Sequence, residues 1–239
     1  MTHFKPGHAV FGAGKGAFAE YACAREARLA PKPASVTFEQ AATVPIAGLT
    51  ALQALRDKGH LQPGQKVLIN GAAGGIGTFA VQIAKSFGAH VTGVCSTKNV
   101  ELVRSLGADR VIDYTREDFT EDGERYDLLL DNVGNRKLSA MKCVLRPTGK
   151  CVITGAPKKM SAAFTWLLKV FARSFLLREN FKFLIANINR DDLTTFGELI
   201  TATKVTPVID RRYALGETAA AMAYAEEGHA RAKVIITFQ

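Results

Sequence analysis

Chemistry in this chain is concentrated in Gly71-Ala72-Ala73-Gly74-Gly75-Ile76-Gly77, a run rich enough in glycine to demand close approach of the backbone to something else. The spacing suits a pyrophosphate. Gly74 lets the backbone reach the phosphates, and Gly77 lets a following helix pack against the preceding strand. The start of that helix offers free N–H groups and a partial positive charge. Read backwards from Gly77, the pattern is A-x-G-x-x-G, with Ala72 where the first glycine usually stands. A second clue lies about 20 residues on, where an NAD site places Asp or Glu against the ribose hydroxyls. This chain has Cys95-Ser96-Thr97-Lys98 there, with no acid until Glu101. Hydroxyls and an ammonium suit a 2′-phosphate, which a carboxylate would repel. NADPH is therefore the favoured dinucleotide, with Lys98 as charge partner and Ser96 as donor. The plainer reading of Lys98 is a solvated lysine at a helix start.

These residues need a strand, a turn, a helix and a second strand to position them, and the flanking sequence supplies all four. Val67-Leu68-Ile69, preceded by Pro63-Gly64, reads as a buried strand. Ile76, Phe79, Ala80, Ile83, Ala84 and Phe87 follow at helical spacing, and after Gly88 the segment from His90 to Cys95 is again strand-like. That succession, within about 30 residues, is a βαβ unit. A tight βα turn without a ligand is the alternative that needs no cofactor.

Composition narrows the field. The chain has 239 residues, 47% hydrophobic and 22% charged, which permits a large core in one or two domains. Its formal charge of +9 comes from Lys and Arg spread along the chain, without a basic block, so no nucleic-acid partner is expected. Cys23, Cys95, Cys143 and Cys151 show no paired spacing, which argues against a zinc site or disulfide framework and fits a reducing compartment. The first residues lack an apolar signal core, and no charge-free apolar run reaches membrane-span length. The expectation is a cytoplasmic protein with no membrane association.

Along the chain, residues 1–36 have β-and-turn character, with strand-like pieces at His8 to Phe11, Ala17 to Ala24 and Arg28 to Ala30. Thr37 and Gln40 have capping-box spacing, predicting a helix that Pro45 interrupts and that resumes from Gly48 to Lys58. A helix is expected over Asn99 to Leu106, and strands over Arg110 to Asp113, Asp127 to Asp131 and Lys150 to Thr154. Ser161 to Ile185 reads as a basic, Phe-rich helix. It would cover the sheet, the cleft or a subunit interface, or lie on a membrane surface. Helices at Asp191 to Ala202 and Leu215 to Glu227 alternate with strands at Val205 to Asp210 and Lys233 to Phe238. The alternation predicts an α/β fold with a doubly wound parallel sheet.

The pieces FKPGHAVFG, GAFAEY, EQAATVPIAGLTA, NGAAGGIG, VCSTKNVELVRSLGADRVIDY, YDLLLDNVGN, VTPVIDRRY and EEGHARAKVIITF occur in this order over nearly the whole chain. Together they resemble the zinc-independent quinone oxidoreductases of the medium-chain dehydrogenase/reductase superfamily. The resemblance implies NADPH-dependent reduction of a quinone, alkenal or other activated enone. It implies that Ala73, Gly74, Gly75, Ile76 and Gly77 cradle the pyrophosphate, and that Ser96, Lys98 and Tyr114 surround the 2′-phosphate and adenosine. Asn132, Val133 and Gly155 would line the ribose and nicotinamide, with Thr50 approaching from the domain junction. Tyr114 reads equally as a surface aromatic after a strand. A homodimer is implied by the family. So is a division into residues 1–36 as a remnant of a GroES-like β domain, 37–205 as the NADP-binding Rossmann domain, and 206–239 as a segment completing the sheet. Against the family pattern, His8 replaces a usual Asp, Ala232 replaces a usual Gly, and most of the GroES-like domain is missing. The strands that remain of it are expected to lack partners and to leave apolar edges exposed.

Hydride transfer needs no protein nucleophile, and no Ser/His/Asp or Cys/His constellation stands out. His60, His90 and His229 are isolated, so no catalytic residue and no metal ligand is assigned. Two alternatives stand beside the quinone or enone reductase reading. One is a zinc-independent aldehyde reductase of the same superfamily; the other is a catalytically silent NADPH-binding protein.

Overall fold

A computed structural model describes residues 3–155, 180–228 and 230–238. Six parallel strands make the central sheet: β3 (Lys66–Asn70), β4 (His90–Cys95), β5 (Arg110–Asp113), β6 (Tyr126–Asp131), β7 (Leu145–Ile153) and β8 (Phe181–Phe183). Their spatial order is β5-β4-β3-β6-β7-β8, so the chain starts in the middle, winds one way to β5, then crosses back to β6. This is the doubly wound arrangement, and its reversal point lies between β3 and β6.

Alternation along the strands sends side chains into two cores. Val67, Ile69, Leu128, Leu130 and Val152 face one side. Leu68, Leu129, Cys151 and Ile153 face the other. Burial on both faces explains why β3 and β6 read as continuous apolar runs. Helices α2 (Val44–Gln53), α3 (Gly75–Ser86) and α6 (Arg190–Thr201) cover the first face; α4 (Val100–Ser105) and α5 (Leu138–Cys143) complete the βα rhythm. Phe79 of α3 meets Phe196 of α6 edge to face at 5.2 Å, a favoured geometry for two buried rings.

The Thr37–Gln40 capping box is formed and starts α1 (Phe38–Ala42). The first helix ends before Pro45, as expected, with Thr43 as its C-cap, but Pro45 does not lie in a gap before Gly48: it sits in the first turn of α2, where a missing N–H costs nothing. That helix begins at Val44 and widens into a π-helical turn over Ala54–Gly59.

Three other expectations are corrected. The sixth strand of the sheet is β8, inside the segment read as a basic helix; residues 161–179 of that segment lie outside the described residues. Val205 does not open a strand of the main sheet. Instead β9 (Ile209–Ala214) pairs in parallel with β10 (Lys233–Thr237), flanking α7 (Thr218–Glu227), as a separate two-stranded ribbon. At the N-terminus, β1 (Val10–Gly12) and β2 (Leu29–Pro31) pair with each other. The strand expected at Ala17 to Ala24 is absent: only a Lys15–Cys23 bridge forms, and Phe18 and Tyr21 are exposed. Arg190 ties this region to α6 by donating to the carbonyls of Glu26 and Leu29 at 2.7 and 3.2 Å. Among the described residues, no helix is long and apolar enough to cross a membrane.

Candidate dinucleotide site

A cleft of about 650 Å³ opens beyond the C-terminal ends of β3, β4 and β6, at the reversal point of the sheet. Its centre is the glycine turn. Gly71 adopts φ +82° as the chain leaves β3, so the residue that makes the sharp turn stands one position ahead of Ala72. Gly71 and Ala72 both donate to the Val94 carbonyl, which pins the turn to the end of β4.

Gly74 and Gly77 do different work. A Cβ on Gly77 would lie 2.1 Å from the Gly71 oxygen and 2.7 Å from Ala72 backbone, so only glycine lets α3 sit this close to the strand. A Cβ on Gly74 would meet only the Gly71 oxygen, at 3.4 Å. The protein itself thus has room for a side chain there. Gly74 precedes the first turn of α3 and offers no capping side chain, leaving the helix's first N–H groups for another acceptor.

The cleft collects ten of the twelve residues singled out in the sequence: Ala73, Gly74, Gly75, Ile76 and Gly77, then Ser96, Lys98 and Tyr114, then Asn132 and Val133. Thr50 and Gly155 are not among its walls. The Thr50 hydroxyl donates back to the Ile46 carbonyl at 2.7 Å, and Ile46 and Ala47, one turn earlier, line the cleft instead. Gly155 lies behind it: a Cβ would fall 2.2 Å from the Asn132 oxygen, so this glycine lets β7 close onto the loop after β6.

That loop is shaped by a buried carboxylate. Asp131 is fully buried and accepts from Asn70 Nδ2 at 2.8 Å and from the backbone N–H groups of Val133 and Gly134, each at 3.1 Å. The two backbone donors, sharing Oδ1 with Asn70, curl Asn132 and Val133 over the cleft. Thr154 donates to Asn132 Oδ1 at 2.7 Å and fixes that side chain.

Several walls carry no signal in the local sequence. Ala232 donates its N–H to the Ala73 carbonyl at 2.9 Å, bringing the start of β10 onto the glycine turn. Lys233 follows, its side chain so close to Gly75 that a Cβ there would be 3.0 Å from Lys233 Cδ. Burial pushes the Lys233 ammonium down from its ordinary pKa, and among the described residues no carboxylate pairs with it. Arg136 also lines the cleft, paired with Asp118 at 3.0 Å and stacked 5.6 Å from the Phe119 ring. The only signal for Lys233 was its membership of the closing motif, since 156 residues separate it from Gly77 in a fold that must be built before they meet.

Charge in the cleft is one-sided. Lys98, Arg136 and Lys233 line it, and no Asp or Glu does among the described residues. Asp113, at the end of β5, is also outside the walls. Its carboxylate is turned onto its own loop, accepting from Thr97 Oγ1 at 2.6 Å and from the N–H and hydroxyl of Thr115 at 3.0 and 2.8 Å. The Thr97 hydrogen bond leads in holding it below the usual carboxylate range, so it stays charged outside the walls. Cys95 does line the cleft, but burial and the Asp113 charge push its thiol up to about 11, so it is a neutral wall and not a nucleophile. His60 and His90 are exposed; His229 is outside the described residues.

Fold and cleft together define a doubly wound protein whose phosphate-sized turn and cationic walls sit at the switch point. Comparison with known proteins sharpens this. A model of the family described as "Zinc-binding dehydrogenase" matches residues 106–236. The mouse mitochondrial NAD(P)H oxidoreductase RTN4IP1 is 34% identical over 264 residues, covering 99% of this chain and 66% of that protein. The chloroplast envelope quinone oxidoreductase homolog of Arabidopsis thaliana is 34% identical, covering 99% and 74%. The structure of the quinone oxidoreductase from Coxiella burnetii superimposes with a TM-score of 0.86 at 31% identity, over 99% of this chain and 74% of that one. The chain belongs to the zinc-binding dehydrogenase family, among its quinone oxidoreductase-like members. It spans about two thirds of the length of the mouse relative.

Proposed function

We propose that the protein is a zinc-independent, NADPH-dependent reductase of quinones or of enones and alkenals. The observation that carries this reading is the one cleft that joins the glycine turn to Ser96 and Lys98, with cations and, among the described residues, no carboxylate in its walls. Such a lining favours a ligand with both a pyrophosphate and a further phosphate. The relatives, an NAD(P)H oxidoreductase and a quinone oxidoreductase homolog, agree with it.

In this reading the N–H groups at the start of α3 and the Lys233 ammonium hold the pyrophosphate, since both are positive, unpaired within the described protein and adjacent to the glycine turn. Ser96 and Lys98 hold the 2′-phosphate, with Tyr114 beside the adenosine. Asn132 and Val133 flank the ribose and nicotinamide, while Ile46 and Ala47 exclude water from the far wall. Thr50 and Gly155 act from behind, Thr50 by shaping α2 and Gly155 by seating the Asn132 loop. The reduced nicotinamide, when bound, supplies the hydride. The chain's contribution is orientation and a low-water wall, and no side chain is needed as a nucleophile. Zinc independence rests on the donor set, because Val44 to Ala51 carries no Cys, His or carboxylate.

The sheet-edge strand β8 is the proposed contact of a homodimer, and the unpaired cysteines suit a reducing compartment such as the cytoplasm. The test of function is oxidation of NADPH by the purified protein with a simple quinone, an enone and an aldehyde side by side. Turnover of quinone or enone is expected. Aldehyde turnover alone, or tight binding with no turnover, would overturn the reading in favour of the aldehyde reductase or the silent binding protein.

A further inference from the structure

Asn99 is buried between the turn that follows β4 and the chain that leads into β10. Arg231 Nε donates to its Oδ1 at 2.7 Å, and another guanidinium N–H donates to the Lys98 carbonyl. On its other side, Asn99 Nδ2 donates to Ser96 Oγ at 3.2 Å. The direction of this chain is fixed by chemistry. A guanidinium has only donors, so the amide oxygen of Asn99 must face Arg231 and the amide nitrogen must face Ser96. Ser96 Oγ is then the acceptor in that contact, and its own proton is left for a different acceptor.

Arg231 is itself anchored. Its backbone N–H donates to Asp210 Oδ2 at 2.9 Å, the same oxygen that accepts from the Tyr224 hydroxyl at 2.7 Å. The next residue, Ala232, is bonded to Ala73 of the glycine turn. Ser96, Lys98 and Asn99 border the cleft, whereas Arg231 does not. We infer that Arg231 and Asn99 form a relay that fixes Ser96 as a hydrogen-bond donor toward a 2′-phosphate and holds the Lys98 backbone beside it. Arg231 is a positioning residue. The preference for the phosphorylated dinucleotide is set from outside the cleft, by the C-terminal segment. This inference rests on the NADPH reading above and adds what sets its specificity.

The test uses two probes that differ only in the 2′-phosphate, 2′,5′-ADP and 5′-AMP, titrated calorimetrically into the wild-type chain and its variants. Arg231→Met is expected to weaken 2′,5′-ADP about tenfold while 5′-AMP changes less than about twofold, the size of one lost charge-assisted hydrogen bond. Ser96→Ala should do the same, and the double variant should lose little more, because both act on one contact. Asn99→Asp keeps a partner for Arg231, and so the local fold, but presents Ser96 with an acceptor; its 2′-phosphate preference should fall at least as far. Equal loss of both probes, no loss of either, or effects of Arg231→Met and Ser96→Ala that multiply would each overturn the relay. Equal affinity of the wild type for the two probes would instead overturn the NADPH reading, and the relay with it.

Discussion

Gly74 and Gly77 lie three residues apart and yet answer to different constraints, which makes them separable by experiment. Gly77→Ala drives a methyl into the backbone of Gly71 and Ala72 and should cost about 1–3 kcal/mol, read as a lower thermal midpoint. Gly74→Ala meets only ordinary contact within the protein, so the midpoint should hold while NADPH affinity falls. Equal midpoints for the two variants would contradict this division. Lys233 gives a second test at this scale. Its ammonium has a lowered pKa in the folded chain, so burial of the charge penalises folding at all pH values below that pKa. The penalty fades as pH rises from the folded pKa to the unfolded value of about 10.4. Lys233→Met should therefore raise the midpoint of the ligand-free protein at pH 7, with the gap closing toward pH 10. The same variant should weaken NADPH and NADH alike, by roughly tenfold, because the pyrophosphate is common to both. The glycine run and the Ser96–Lys98 pair were legible because each announces itself within a few residues. Lys233, Arg136 and Asp113 were not, because only tertiary folding decides what they face.

At the scale of elements, the α2–α6 contact that backs the cleft is joined by one buried acid. Asp192, in the first turn of α6, accepts from Gln53 at 2.7 Å, from Arg56 at 2.7 Å and from Asn189 at 2.9 Å. Burial alone would raise its pKa, but these donors outweigh burial and hold it below the usual carboxylate range. Asp192→Asn should cost about 1–2 kcal/mol at pH 7, discounted because Arg56 is half-exposed. The sign follows from the lowered pKa: the wild type has this stability above the unfolded value of about 4 and loses it as pH falls through the folded one, so the gap between the two proteins should narrow steadily as denaturant titrations are carried below that pH. Which elements exist was readable where one rule governs, as at the Thr37 cap or the apolar centre of β6. Pro45 misled because proline breaks a helix interior and suits a first turn equally well, and spacing alone does not say which turn it occupies. The partner of β10 was unreadable for a related reason. Its apolar run fits the main sheet as well as a separate ribbon, and tertiary contacts such as the Ala73–Ala232 bond show where it rests.

For the whole molecule, the strand order concentrates function at one place. Reversal between β3 and β6 leaves the ends of both strands uncovered, and the chain fills that gap with the glycine turn, the Asp131-held loop and the C-terminal segment. Family membership explains the scaffold, while the cationic lining of the cleft is the property of this chain that points to a phosphorylated dinucleotide. The most direct measurement is calorimetric titration of the purified protein with NADPH and with NADH under the same buffer and salt. The account predicts one site, with NADPH bound about tenfold or more tightly than NADH, the worth of one extra charge-assisted contact. Binding of neither cofactor, or preference for NADH, would contradict it.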